Sequence, residues 1–337
     1  MKKRPILTIA IPTWNRAAYL RMNLRQLASQ CIGAMADDIE ILISDNCSDD
    51  ETGQVVASFD KRDFPIRYIR NHKNIGSDCN IAQCFNEASG KYVMVLGDDD
   101  LLVDGAVEFF LRLLKEGSYG AITVRAYGYD DDFRDEYPGG RGRIRKFTDA
   151  GDFIVAAGIL PILISANIIC KDILPNINAC EFCGSNLVQT HMIYRAALAA
   201  EKNIVVDKYL IAYKRNNTGG YVFSQVFVDR FGEILDEYQR LGLPQTAIAR
   251  LERRLVVGFF PFYVFREILA NVEETIEESR QRYRKRYDGY WTYYLFLAPI
   301  FYLPRHLAIG WGAIAVLVGR VLNGDLRRGI FFLWHRL

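Results

Sequence analysis

Apolar positions in the first hundred residues follow two alternating patterns. Four short runs, ILTIAI (6–11), IEILIS (39–44), IRYI (66–69) and YVMVL (92–96), are continuous and rich in β-branched side chains. Runs of this length suit strands covered on both faces, as in a parallel sheet. Between them, 17–30, 51–60 and 78–89 are compatible with helices. The first carries Tyr19, Leu20, Met22, Leu24, Leu27 and Ala28 at mixed three- and four-residue spacings. The alternation predicts an α/β fold: a Rossmann-like, open, mostly parallel sheet with flanking helices.

Beyond residue 120 the pattern loosens. GYDDDFRDEYPGGRGRIRK (128–146) is charged and glycine-rich and reads as a mobile loop, with strand-like runs at 162–169 and 204–213. From 226 the spacing becomes helical. Two apolar stretches, 291–303 and 307–318, are separated by Pro304, Arg305 and His306. Neither reaches the roughly 18–20 residues that cross a bilayer. Aromatic side chains, a basic run before them (Arg280, Arg282, Arg284, Lys285, Arg286) and Arg327 and Arg328 after them suit an interfacial membrane anchor. The same segment also suits a helical hairpin packed on the rest of the chain, or an oligomer contact. Three regions are therefore expected: a catalytic domain over 1–225, a helical extension over 226–290 and a membrane-associating region over 291–337.

Polar residues gather after each predicted strand: PTWNR, SDNCSDD, RNHKNIGS and GDDD. In open parallel sheets, ligands bind where the carboxyl ends of the strands converge. Asp98, Asp99 and Asp100 follow a buried strand directly and repel one another unless a cation sits among them. One reading is a solvated turn that caps a helix. The other is a Mg²⁺ or Mn²⁺ site, where the ion keeps waters and bridges one or two carboxylates to ligand phosphates. Neither G-x-x-x-x-G-K-[ST] nor G-x-G-x-x-G after a strand occurs, so P-loop and dinucleotide readings lack their phosphate cradle. Thr13, Asn15 and Arg16 after the first strand, and Asp45 and Asn46 after the second, offer contacts to a nucleotide. Asp78 and Asn80 lie beyond the third strand and offer further contacts, with helix capping as the other use of Asp78.

Composition narrows the classes. Half of the 337 residues are hydrophobic and 24% are charged, as in a folded protein of one large or two ordinary domains. A net charge of +2 argues against a nucleic-acid binder. The basic-then-apolar start, MKKRPILTIAIPTWNR, is broken by Pro12 too early for a secretory core and reads as the first strand. Seven cysteines without framework spacing suit a reducing cytosol. Cys180 and Cys183 form a lone C-x-x-C without the second pair that a zinc site needs.

AIPTWNRAAYL, ILISDNCSDDET and NIGSDCNIAQCFNEASGKYVMVLGDDDLL stand in the order and spacing of family 2 glycosyltransferases with the GT-A fold. The resemblance covers roughly residues 5–110. GSNLVQTHMIYRAALAAEKNIVVDKYLIAYKRNN (184–217) is similar to the acceptor-side region of bacterial O-antigen sugar transferases of the abequosyltransferase-like group. The resemblance implies sugar transfer from a nucleoside-diphosphate sugar to a hydroxyl. Pro12, Thr13 and Arg16 would line the nucleotide pocket and Asp45 would bond the base. Asp98 would touch the ribose or sugar, and Asp99 or Asp100 would hold the divalent cation, within a metal set of Asp98, Asp99 and Asp100. Many inverting relatives carry a Glu-Asp pair on the acceptor-side helix. EFCGSNLVQ offers Ser185 and Asn186 there, which are no bases at neutral pH. Glu181 and His191 are the nearest substitutes, with a solvated loop acid and a helix-packing residue as their other uses. RGRIRK (141–146) is either a phosphate-binding run or a solvated basic loop.

The expected protein is peripheral on the cytoplasmic face of the membrane, extends a lipid-linked saccharide of a bacterial surface polysaccharide, and takes a UDP, GDP, CDP or dTDP sugar. A sugar nucleotidyltransferase is a second reading, but it lacks its glycine-rich phosphate loop. A non-catalytic nucleotide-sugar-binding subunit is a third, suggested by the missing Glu-Asp pair.

Overall fold

The computed structural model describes residues 3–31, 33–59, 64–140, 142–215, 222–270 and 273–322. The chain divides into two compact units, Met1–Thr218 and Gly219–Leu337.

The first unit begins with β1 (Leu7–Thr13), α1 (Ala17–Ala28), β2 (Ile39–Asp45), α2 (Thr52–Ala57), β3 (Ile66–Arg70), α3 (Ser77–Glu87) and β4 (Tyr92–Val95). It continues with β5 (Leu101–Leu102), α4 (Ala106–Glu116), β6 (Ala121–Tyr129), β7 (Ile144–Phe147), α5 (Ala150–Ala157), β8 (Asn167–Cys170), α6 (Val188–Ala199) and β9 (Asn203–Lys214). All nine strands form one sheet of order β3-β2-β1-β4-β8-β6-β9-β5, with β7 paired to β9. The continuous apolar runs mark the interior strands, and every residue of β2 and β4 is buried. β3, on the sheet edge, keeps its side chains partly exposed.

The first four strands are mutually parallel. Beyond them the sheet is mixed: β6 runs parallel to β9, and the remaining pairings are antiparallel. β8 runs antiparallel between β4 and β6, and β5 and β7 run antiparallel to β9. Only the end of the expected strand 162–169 is extended. Leu160–Ile162 and Ile164–Ala166 are 3₁₀ turns that lead into β8. Asn167 causes the change, since its amide donates to the Leu163 carbonyl at 2.8 Å and folds the preceding chain back on itself.

The charged segment 128–146 is shorter as a loop than expected. β6 extends into it to Tyr129 and β7 begins at Ile144. The turn between them is tied down: Arg215 pairs with Asp130 at 2.8 Å and with Glu136 at 2.6 Å. Much of the basic run 141–146 is strand, and Arg145 pairs with Asp207 at 2.8 Å. Arg141 lies outside the described residues.

Two features of β1 position the site. Its pairing with β4 stops at Ala10, opposite Val95, so the strands part just before Pro12, which has no N–H to donate. On its other edge, pairing with β2 continues to Thr13 opposite Asp45. Past Ala10, β1 is thus paired on one side only, and the loops after β1 and β4 meet where that pairing ends.

The second unit is helical: a π-helical turn (Gln225–Arg230) leads into α7 (Phe231–Arg240), followed by α8 (Gln245–Gly258), α9 (Phe260–Ala270), α10 (Glu273–Tyr287), α11 (Trp291–Phe296), α12 (Ala298–Tyr302) and α13 (Arg305–Leu322). Aromatic rings fill its centre. Phe260 meets Tyr283 at 5.1 Å between ring centroids, and Tyr283 meets Phe301 at 5.7 Å. Buried Glu252 accepts from Arg286 at 2.7 Å and from the Tyr290 hydroxyl at 2.6 Å. The apolar stretches read from the sequence are α11, α12 and α13, while Arg327 and Arg328 lie outside the described residues. By length and composition α13 could cross a membrane, with a mean hydropathy of 1.3 over its 18 residues.

Candidate active site

The acidic turn 97–100 follows β4 and is held from three directions. From β1, the Thr13 hydroxyl donates to Asp98 at 2.8 Å. From the start of α1, Arg16 donates to Asp98 at 2.9 Å and pairs with Asp99 at 3.3 Å. The Ser165 hydroxyl donates to Asp100, and its oxygen accepts the Gly97 amide at 2.9 Å. Beneath the turn, Asn23 of α1 donates to the carbonyls of Gly97 at 3.1 Å and Asp100 at 2.7 Å.

The three carboxylates are unequal. Asp98 has one oxygen on Thr13 and the other on Arg16. Burial pushes its pKa up to about 6 despite Arg16. Asp100 is pushed up to about 7, first by burial and then by the charge of Asp99. Arg16 is itself raised: burial disfavours its charge, but Asp98 and Asp99 more than compensate.

Oxygens of Asp99 and Asp100 converge over Gly97. A methyl group there would stand 3.1 Å from one Asp100 oxygen and 3.2 Å from one of Asp99. These two carboxylates fit a divalent cation that takes its other ligands from phosphate and water. Among the described residues, no three His, Cys, Asp or Glu side chains form a complete ligand set. Asp98, committed to Thr13 and Arg16, orders the turn.

The neighbouring strand ends are cross-braced. Asp45, at the end of β2, is buried; it accepts from the Tyr68 hydroxyl at 2.5 Å and the Ser48 amide at 2.9 Å, and pairs with Arg70 at 3.7 Å. Burial, then Asp45, raises the Tyr68 pKa. Asn15 sits in the left-handed region at φ 53°. Its amide donates to Ser48 at 2.9 Å and its side chain accepts from the Asp49 amide at 2.7 Å, fastening the β1 loop to the β2 loop. Asn46 accepts from Ile75 at 2.8 Å and donates to Asn74 at 2.8 Å. Asn80 of α3 accepts from Ser44 at 2.6 Å and donates back to the Ser44 carbonyl at 2.9 Å. Direct contacts thus join Thr13, Arg16, Asp98 and Asp99, and Ser165 holds Asp100, while Asn15, Asp45, Asn46 and Asn80 shape the adjoining loops.

Ahead of α6, Asp78 accepts the amides of Gly184 and Asn186, each at 2.8 Å, and fixes a loop in which Asn186 adopts φ 58°. Glu181 is exposed on the 3₁₀ turn Ala179–Phe182. His191 on α6 is buried and stacked on Phe182, with ring centroids 4.4 Å apart. Sequence reasoning missed Asn23, Ser165, Tyr68 and Arg70. Asn23 had a signal: with Gln26 and Gln30 it forms an amide stripe at helical spacing, and all three donate to carbonyls of residues 97–102.

Residues 8–172 match the model of glycosyl transferase family 2. Among curated proteins, the chain is 34% identical over 115 residues to the GalNAc(5)-diNAcBac-PP-undecaprenol beta-1,3-glucosyltransferase of Campylobacter jejuni, covering 34% of this chain and 36% of that protein. It is 38% identical over 132 residues to the abequosyltransferase RfbV of Salmonella typhimurium, covering 36% and 39%. The chain thus matches well under half the length of these relatives. Among solved structures, S. aureus TarS 1–349 in complex with UDP-GlcNAc superposes with a TM-score of 0.60 at 17% identity, covering 95% of this chain and 92% of that one. The Pyrobaculum calidifontis mannosyltransferase PcManGT in complex with GDP-Man and Mn²⁺ gives 0.55 at 14% identity, covering 95% and 87%. Likeness at this identity concerns the fold alone, which is the GT-A arrangement of a mixed sheet with flanking helices. Within the first unit, residues 8–172 form a glycosyl transferase family 2 domain.

Proposed function

We propose that the protein transfers a sugar from a nucleoside-diphosphate sugar to a hydroxyl of a saccharide acceptor in bacterial surface-polysaccharide synthesis. The acidic turn carries this reading: Asp99 and Asp100, set by Arg16 and Ser165, stand side by side at the carboxyl ends of the parallel strands. The names of the curated relatives support it, one acting on a PP-undecaprenol-linked saccharide and one an abequosyltransferase.

In this reading the nucleotide lies across the ends of β1 and β2. Pro12, Thr13 and Arg16 line its pocket, Asp45 faces the base, and Asn15, Asn46, Asp78 and Asn80 hold the surrounding loops. Asp98 orients the ribose or sugar side. Asp99 and Asp100 would hold a Mg²⁺ or Mn²⁺ ion, which when bound supplies positive charge against the departing diphosphate. The acceptor hydroxyl attacks the anomeric carbon, the diphosphate leaves, and a base removes the hydroxyl proton. Glu181, which meets solvent, is the candidate base; buried His191 suits packing. The acceptor is lipid-linked, and the second unit brings the enzyme to the cytoplasmic membrane surface.

A panel of UDP, GDP, CDP and dTDP sugars, with and without Mn²⁺, tests the proposal through thermal shift and donor hydrolysis. At least one donor should raise the melting temperature in a metal-dependent way and should be hydrolysed or transferred. Asp99→Ala and Asp100→Ala should each lower turnover by about 100-fold or more. Unchanged turnover in both variants would remove the metal assignment. Binding without turnover across the panel would favour a non-catalytic subunit.

A further inference from the structure

Among the described residues, one face of α13 is left uncovered in the second unit. Leu307, Ile314, Leu317 and Val321 of α13 are 50, 56, 56 and 54% exposed, and Val318 lies beside them at 37%. At about 100° per residue these five fall within an arc of about 100°. The flank that packs on the unit is made of small residues, the buried Ala308, Gly312, Ala315 and Gly319. A methyl group on Gly312 would come within 2.5 Å of the Phe265 ring, and one on Gly319 within 2.5 Å of the Val257 carbonyl oxygen. Backbone thus lies directly against α8 and α9, and the large aliphatic side chains point away.

We propose that this face seats in the headgroup layer of an anionic bilayer, with α13 lying in the membrane plane instead of crossing it. The inference rests on the reading that the second unit meets a membrane, and it assigns the residues and the orientation. Close packing on α8 and α9 decides against crossing. Those helices carry Glu252, Arg253, Arg254, Arg266 and Glu267, which a spanning α13 would pull into hydrocarbon at a cost of several kcal/mol.

Charge decides for lipid over a second copy of the chain. Residues 289–322 contain Arg305 and Arg320 and no Asp or Glu. A twofold contact would face these cations with their own copies, whereas anionic headgroups neutralise them. Trp291, Tyr294 and Tyr302 of α11 and α12 are 66, 55 and 49% exposed. Such rings, apolar with a polar edge, favour the boundary between headgroups and chains.

Flotation with vesicles tests the assignment without any sugar donor. The full chain should float with 1:1 phosphatidylglycerol–phosphatidylcholine vesicles and much less with phosphatidylcholine alone. Ile314→Asp/Leu317→Asp should weaken flotation at least 10-fold while leaving the melting temperature near that of the parent. Depth is read with an environment-sensitive dye on cysteines placed in turn at 307, 314 and 321, after Cys180, the exposed native thiol, is replaced by serine. A helix in the plane gives equal quenching at all three. A crossing helix spreads them over about 21 Å, and that result overturns the orientation. Flotation of the Asp pair equal to the parent overturns the face. So does a non-floating parent dimer that the Asp pair dissociates. Normal flotation with no transfer to any acceptor would instead count only against the catalytic reading.

Discussion

Gly97 shows how much of the site depends on a single missing atom. The carboxylates of Asp99 and Asp100 stand close enough that a methyl group would press on both at 3.1–3.2 Å. Gly97→Ala should therefore weaken Mn²⁺-dependent donor binding by about 10–100-fold, as disturbing a metal's supporting shell does. The fold should lose little more than about 2 kcal/mol. Calorimetric titration of the donor at several Mn²⁺ concentrations separates these effects, and an unchanged metal dependence would mean that the pair does not close on an ion. Glu181→Gln probes a different step. With donor binding intact, transfer should fall about 100-fold or more if Glu181 takes the acceptor proton; an unchanged rate would dismiss it. The three aspartates, Thr13 and Arg16 could be read from the sequence because they cluster at strand ends. Ser165 could not: it sits in an apolar run that reads as a strand, and only the two 3₁₀ turns bring its hydroxyl under Asp100.

At the scale of elements, buried parallel strands were the most legible part, because burial on both faces leaves an unbroken apolar run. β1, β2 and β4 follow their runs closely. Strand direction was less legible, since β8 has the composition of its neighbours and only its connection through two tight turns makes it antiparallel. A second acid, half-buried, went unnoticed in the helical unit. Glu267 of α9 has its pKa pushed up to about 7 by burial, with Ser279 of α10 partly counteracting. One of its oxygens and the Tyr283 hydroxyl are buried without partners among the described residues. The native state therefore keeps the Glu267 proton up to about pH 7, while the unfolded chain releases it near 4.5, the usual glutamate value. Stability contributed by the protonated acid is complete below that value, declines as pH rises toward 7 and is flat beyond. The loss amounts to at most about 3 kcal/mol. Glu267→Gln should flatten this part of the pH profile and raise the melting temperature at pH 8 more than at pH 5. Parallel profiles for parent and variant would show that the acid is solvated after all.

For the whole molecule, the near-neutral net charge of +2 conceals a division of labour. The first unit gathers Asp98, Asp99 and Asp100 on one turn. The tail from 289 to 322 has no acids and displays aliphatic and aromatic side chains. An enzyme that meets its acceptor on a membrane gains rate from confinement, because surface binding turns a bulk encounter into a local one at raised effective concentration. The two proposals then meet in one experiment. Ile314→Asp/Leu317→Asp should leave donor hydrolysis, and transfer to a water-soluble form of the acceptor saccharide, within about twofold of the parent. Transfer to the lipid-linked form in phosphatidylglycerol vesicles should fall about 10-fold or more, and detergent that disperses the vesicles should erase the difference. Raising the salt should slow the parent on vesicles toward the variant, since the Arg305 and Arg320 contribution is screened. Equal loss on soluble and lipid-linked acceptors would instead mean that the substitutions harm the fold. No loss on either would mean that the acceptor reaches the enzyme without this surface.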